Sequence, residues 1–239
     1  MYFLLDANVT AGYYLPRSLN SQRAKDRIVP IFDSVRSGES DHFFYLPNFC
    51  VAEVFSVFMK HSFGTWNSHL KKKGTIDTRV YRSLVDQFEA DIHNGSFIYH
   101  YELSRYHILG INLVAPVDHY YRFRRGNSRR VTPMGTFDHL IISMGIHLAH
   151  IHGRENVAIL SADDRLTDIL RKCLDGIPAA TARKLKLDKA ETLTGRKFEP
   201  STFPRYANLK TAKKAELEDL FGVWPPPVGK LPSVYRWTK

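Results

Sequence analysis

The chain has 239 residues, 44% hydrophobic and 24% charged, enough for one sizeable core with an elaboration and too apolar for disorder to be the default. Its formal net charge of +10 favours an anionic partner, with nucleic acid first among the candidates. Two cysteines, Cys50 and Cys173, give no disulfide framework and read as reduced, buried small hydrophobes.

No segment reaches the length of a membrane span, so no membrane contact is expected. The start, MYFLLDANV, is broken by Asp6 and lacks a basic leader. It does not read as a secretory signal, and the expected location is the cytoplasm.

Taken in chain order, Tyr2 to Leu5 is a short apolar run that stops at Asp6, the pattern of a buried strand. A helix ends near Asp33–Ser40, and Phe43 to Leu46 reads as a second strand closed by Pro47 and Asn48. From Asn48 the spacing of Cys50, Val54, Val57 and Phe58 is helical, with Glu53 on or beside that face. Residues 64–80 are polar and basic. Helical stretches around 78–93 and 103–121 flank a strand at Ser96–Tyr101. An arginine-rich loop, Arg122 to Arg130, follows.

Thr136 to His150 reads as a helix with Asp138 in its first turn, where an acid favours the exposed amides. Asn156 to Ser161 is a strand that again stops at acids, Asp163 and Asp164. Leu166 opens another helix. The alternation argues for an α/β fold with a mostly parallel central sheet. Residues 1–175 form the expected core domain, with 63–131 as a helical and basic insertion. Residues 176–239, Lys-rich and Pro-punctuated, read as a C-terminal extension.

Asp6, Glu53, Asp138 and Asp163 carry the chemistry of this reading. Two strands end in acids, and in open α/β sheets the crevice lies outside the carboxyl ends of the strands. Four acids held together repel one another and raise one another's pKa. A divalent cation removes that cost, and Mg²⁺ prefers oxygen ligands and bridges to phosphate. Each acid also has a plain structural reading: Asp6 as a turn cap, Asp138 as a helix-start acid, Asp164 as a helix N-cap or a supporting group. Glu53 is the hardest to explain plainly, because an acid among so many apolar neighbours is costly unless paired or metal-bound.

Leu4-Leu5-Asp6-Ala7-Asn8, Pro47-Asn48-Phe49-Cys50-Val51-Ala52-Glu53, Gly135-Thr136-Phe137-Asp138 and Leu160-Ser161-Ala162-Asp163 stand in that order. Together they resemble the PIN-domain nucleases, over roughly residues 1–62 and 132–175. The resemblance implies a three-layer α/β/α fold and an Mg²⁺ or Mn²⁺ site on Asp6, Glu53, Asp138 and Asp163. It also implies supporting roles for Asn8 and Ser161, and hydrolysis of RNA. Many members of the family are toxins of toxin–antitoxin pairs, similar to the VapC-like group, so an antitoxin protein and a homodimer contact enter as candidate partners. The longer 63–131 segment and the tail depart from the compact members and leave the toxin role and the substrate open. The alternatives are a DNA or flap-type nuclease on the same carboxylates, and a non-catalytic RNA-binding module.

Arg122, Arg124, Arg125, Arg129 and Arg130 precede the Asp138 helix and are expected to meet the nucleic-acid backbone. Tyr99, Tyr101, Tyr106, Tyr120 and Tyr121 are expected to be core or half-buried. His147, His150 and His152 lack a fourth zinc ligand at a recognisable spacing.

Overall fold

The structure is a computed structural model that describes residues 1–19, 22–63, 76–93, 95, 97–123 and 132–231; the side chains of Ser18, Gln22, Arg122 and Phe123 stand outside that description. Five strands form one sheet: β1 (Tyr2–Leu5), β2 (Phe43–Pro47), β3 (Ile98–Tyr101), β4 (Val157–Ser161) and β5 (Arg205–Asn208). Their spatial order is β3-β2-β1-β4-β5, and every neighbouring pair is parallel. Parallel neighbours require long crossovers, and helices supply them.

Burial of both sheet faces explains the sequence of the central strands. Phe3, Leu4 and Leu5 are fully buried, and so are Val157 to Leu160. Strands covered on both sides read as continuous apolar runs instead of alternating ones. On one face, Phe44 packs its ring against Phe32 of α2 (Gln22–Arg36), and Phe3 stacks on Phe221 of α10 (Lys214–Phe221). The helices α1 (Ala7–Tyr14), α3 (Asn48–Phe63) and α4 (Thr78–His93) join this layer through Tyr14, Phe58 and Phe88.

The other face is covered by α6 (Thr136–His152), with α5 (Arg105–Phe123) packed along it and α7 (Asp164–Leu174) beside β5. Gly145 permits the close approach of α6 to the sheet: a Cβ there would stand 2.7 Å from Ile159 Cδ1 and 3.0 Å from Pro204 Cγ. Gly110 does the same between α5 and α6, where a Cβ would overlap Ser143. These layers make the three-layer α/β/α arrangement with an all-parallel sheet.

The segment after residue 176 does more than extend the fold. It contributes the short helices α8 (Ala179–Lys184) and α9 (Leu187–Thr194), and then β5, which pairs with β4 from Ala158 to Ser161. Without β5, a strand buried along its whole length would be an edge. No helix among the described residues is long and apolar enough to cross a membrane.

The chain lays down β1, β2 and β3 toward one edge, then returns to place β4 and β5 on the other side of β1. The direction of winding therefore reverses between β1 and β4, and the helices leaving these two strands diverge to opposite faces. A crevice at the carboxyl ends of this strand pair is a consequence of topology.

Candidate active site

Asp6 is the first residue past β1 and sits at that reversal. Its amide still pairs with Leu160 O of β4 at 3.0 Å. Its carbonyl accepts from Val9 N and Thr10 N, so the backbone starts α1 while the side chain makes no capping bond. The carboxylate is held otherwise. Oδ2 accepts from Asn8 Nδ2 at 2.6 Å and from Ser161 Oγ at 2.5 Å. Asn8 in turn accepts from Ala162 N at 2.9 Å, and Ser161 Oγ accepts from Asp163 N at 2.9 Å. The strand end at 161–163 and the start of α1 are thus joined by one small polar network around a carboxylate that is 5% exposed.

Asp163 is the N-cap of α7, and its Oδ1 accepts from Arg165 N at 2.6 Å and Leu166 N at 2.9 Å. The helix cap thus falls on Asp163, one residue before the position expected for it at Asp164. Asp164 accepts instead from Asn208 Nδ2 of β5 at 2.8 Å, on the side of the sheet edge. Asp138 lies in the first turn of α6, and its Oδ2 accepts from Gly135 N at 2.9 Å. Glycine at the cap has no side chain to return the bond, so only the acid's half of a capping box is made.

Glu53 projects from the second turn of α3. It accepts a hydrogen bond from the Cys50 thiol, and it feels both the Asp138 charge and Lys60. The start of its helix is tied to the start of α6 by the rings of Phe49 and Phe137, stacked with centroids 5.0 Å apart. This contact joins two of the acid-bearing helices and was not foreseen. Its one trace in the sequence is that each phenylalanine directly follows the polar residue that opens its helix.

Three of the four acids, Asp6, Glu53 and Asp138, are raised, each in part by a neighbouring carboxylate. Burial is the main cause that raises Asp6, to about 7; the Ser161 and Asn8 bonds oppose it, and the charges of Asp138 and Asp163 add to it. Asp138 is also raised, first by burial and then, against its bond from Gly135, by Asp163 and Asp118. Burial raises Glu53 as well, with Asp138 adding to the effect. The Cys50 thiol is pushed up by burial and by Asp6 and Glu53. None of the four acids forms an ion pair with a lysine or arginine among the described residues.

Carboxylate oxygens are the donor set a hard divalent cation takes. Asp6, Asp138 and Asp163 each commit one oxygen to a protein donor, and the second oxygen of each has no hydrogen-bond partner among the described residues. No three His, Cys, Asp or Glu side chains of the described residues are already drawn together tightly enough to grip an ion directly. A cation that keeps several of its waters reaches such oxygens without that direct grip. The residues present fit such an ion.

Other expectations find their places. The arginine loop Arg124, Arg125, Arg129 and Arg130 lies outside the described residues, as does the side chain of Arg122 at the end of α5. Tyr101, Tyr120 and Tyr121 are half-buried as expected, whereas Tyr99 and Tyr106 are exposed. Those two lie on the edge strand β3 and on the first turn of α5. His147 Nδ1 bonds Tyr101 Oη at 2.6 Å, His152 stacks on Tyr2, and His150 is exposed. Cys50 and Cys173 are buried and free. Compared with protein-family models, with curated proteins and with solved structures, the chain matches none.

Proposed function

We propose that the chain is a divalent-metal-dependent endoribonuclease of the PIN-domain type, with Asp6, Glu53, Asp138 and Asp163 as its carboxylate cluster. The observation that carries this reading is Asp6. A carboxyl that burial and two neighbouring aspartates raise to about 7 makes no side-chain capping bond to the helix it precedes, forms no ion pair with a lysine or arginine among the described residues, and is held by two dedicated side-chain hydrogen bonds. A fold that needed only a turn residue here has cheaper choices.

The protein's own groups divide the work. Asn8 and Ser161 grip one oxygen of Asp6, and the other would be open to a cation. Asp163 is fixed by its own helix amides, and Asp138 by Gly135 N, so both present an oriented oxygen at a helix start. Glu53 closes the cluster from α3. A divalent cation held by these acids would supply a water of lowered pKa and neutralise charge on the phosphate. A basic chain supplies attraction for the polyanion at long range.

The test is cleavage of a single-stranded RNA by the purified chain in Mg²⁺ or Mn²⁺, against the same reaction in chelator. A matched DNA strand serves as control, because these carboxylates act on either phosphodiester. Cleavage should require metal and favour RNA, and D6N should lose roughly 100-fold or more in rate. Metal-independent cleavage, or full activity in D6N, overturns the reading. A preference for DNA moves it to the flap-type alternative.

A further inference from the structure

Asp118 of α5 is 2% exposed, and neither of its oxygens is idle. Oδ1 accepts from Arg165 Nε at 2.9 Å and, in a closer contact, from Arg165 Nη2. Arg165 Nη2 also donates to the Asp118 carbonyl at 3.1 Å. Oδ2 accepts from Met134 N at 3.0 Å and lies 3.4 Å from His139 Nε2. These partners all belong to segments that carry the cluster. Met134 and His139 bracket Asp138 at the start of α6, and Arg165 stands two residues beyond Asp163 in α7.

The charge arithmetic gives the arrangement a second consequence. Arg165 is the guanidinium nearest to Asp163 along the chain, always ionised and shaped to grip a carboxylate with two bonds. Its Nη1 also lies 3.9 Å from Asp168 Oδ2, a longer and more exposed contact; released from Asp118, the guanidinium is free to turn toward the acid at the start of its own helix, Asp163, and compete with a cation for it. Asp118 takes up the guanidinium, and among the described residues no lysine or arginine forms an ion pair with the four acids.

We infer that Asp118 is a positioning residue for the metal site: it ties the starts of α6 and α7 together and holds Arg165 out of the carboxylate cluster. This rests on the nuclease reading above.

The experiment measures Mn²⁺ uptake by the full chain, from the loss of the free-ion electron paramagnetic resonance signal, for wild type, D118N, R165K and D118N/R165M. Circular dichroism checks that each is folded. In D118N the amide still accepts from Met134 N but no longer holds the guanidinium by charge, so Mn²⁺ affinity falls about tenfold or more. D118N/R165M removes the freed cation along with its partner and returns affinity to within about threefold of wild type. R165K keeps the charge without the fork and weakens uptake about threefold; it is the variant to read should D118N not fold. Wild-type affinity in D118N or R165K, or a double variant no better than D118N, overturns the inference.

A wild-type chain that takes up no Mn²⁺ overturns the nuclease reading instead. The splint is then read from amide hydrogen exchange: D118A should speed exchange at residues 134–138 about tenfold, and unchanged exchange there overturns it as well.

Discussion

Asp6 separates the cost of the site from its use. In the folded chain without metal its carboxyl is raised to about 7, against 3.8 when unperturbed. Between those values the unfolded chain has released a proton that the folded chain keeps, so this group's contribution to stability falls as pH rises and is gone above about 7. The full change is on the order of 4 kcal/mol. His107 and His42, each lowered to about 4 chiefly by burial, act in the opposite sense and weaken the fold as pH falls. The difference between wild type and D6N isolates Asp6: in chelator, urea melts should show D6N gaining on wild type from pH 5 to pH 8, and saturating Mn²⁺ at pH 8 should close the gap. Equal pH slopes for the two proteins would show that Asp6 is not strained. Ser161 favours the charged form, so S161A raises Asp6 further and should weaken Mn²⁺ uptake about tenfold at pH 6.5 and much less at pH 8.5. Asp6 was legible in the sequence, because an apolar strand that stops at an acid marks the carboxyl end of a sheet; Asn8 and Ser161 entered only through the family resemblance. Asp118 and Arg165 were not legible, since each sits on a helix where a charged residue is unremarkable, and their partnership spans 47 positions.

At the level of elements, helix starts deliver the acids and close packing holds those helices to the sheet. At Gly145, α6 leaves no room for a Cβ, with the buried Ile159 and the rigid Pro204 ring on the far side. G145V should therefore destabilise the chain by about 2 kcal/mol or more, despite valine's better helix propensity, and a urea titration gives the value. Under the proposed activity, cleavage should fall with it, because α6 carries Asp138. A G145V protein of wild-type stability would mean that α6 is seated more loosely than described. Periodicity revealed α3, α4, α5, α6 and the four strands β1 to β4 close to their observed bounds. It gave no sign of β5: Arg205-Tyr206-Ala207-Asn208 has four residues and no alternation, and it becomes a strand only because β4 offers it an edge.

The whole molecule is therefore less divisible than its composition suggests. Residues 176–231 include the strand that covers one edge of the sheet, and Asn208 of that strand bonds Asp164 and Thr167 of α7. A chain ending at 175 would leave Val157–Ser161, buried at every position, as an open and apolar edge. Such an edge recruits other chains, so the 1–175 fragment should aggregate on expression under conditions where the 239-residue chain remains monodisperse by gel filtration. A soluble, folded fragment would restore the boundary at 175 that the composition shift suggested.

The bond from Ser161 to Asp6 bridges 155 positions. During synthesis Asp6 leaves the ribosome long before Asp163, the two standing 157 positions apart (163 − 6). Under the proposed activity, a growing polypeptide carries an incomplete blade throughout its synthesis, and the transcript that encodes it is spared until the last acid has emerged.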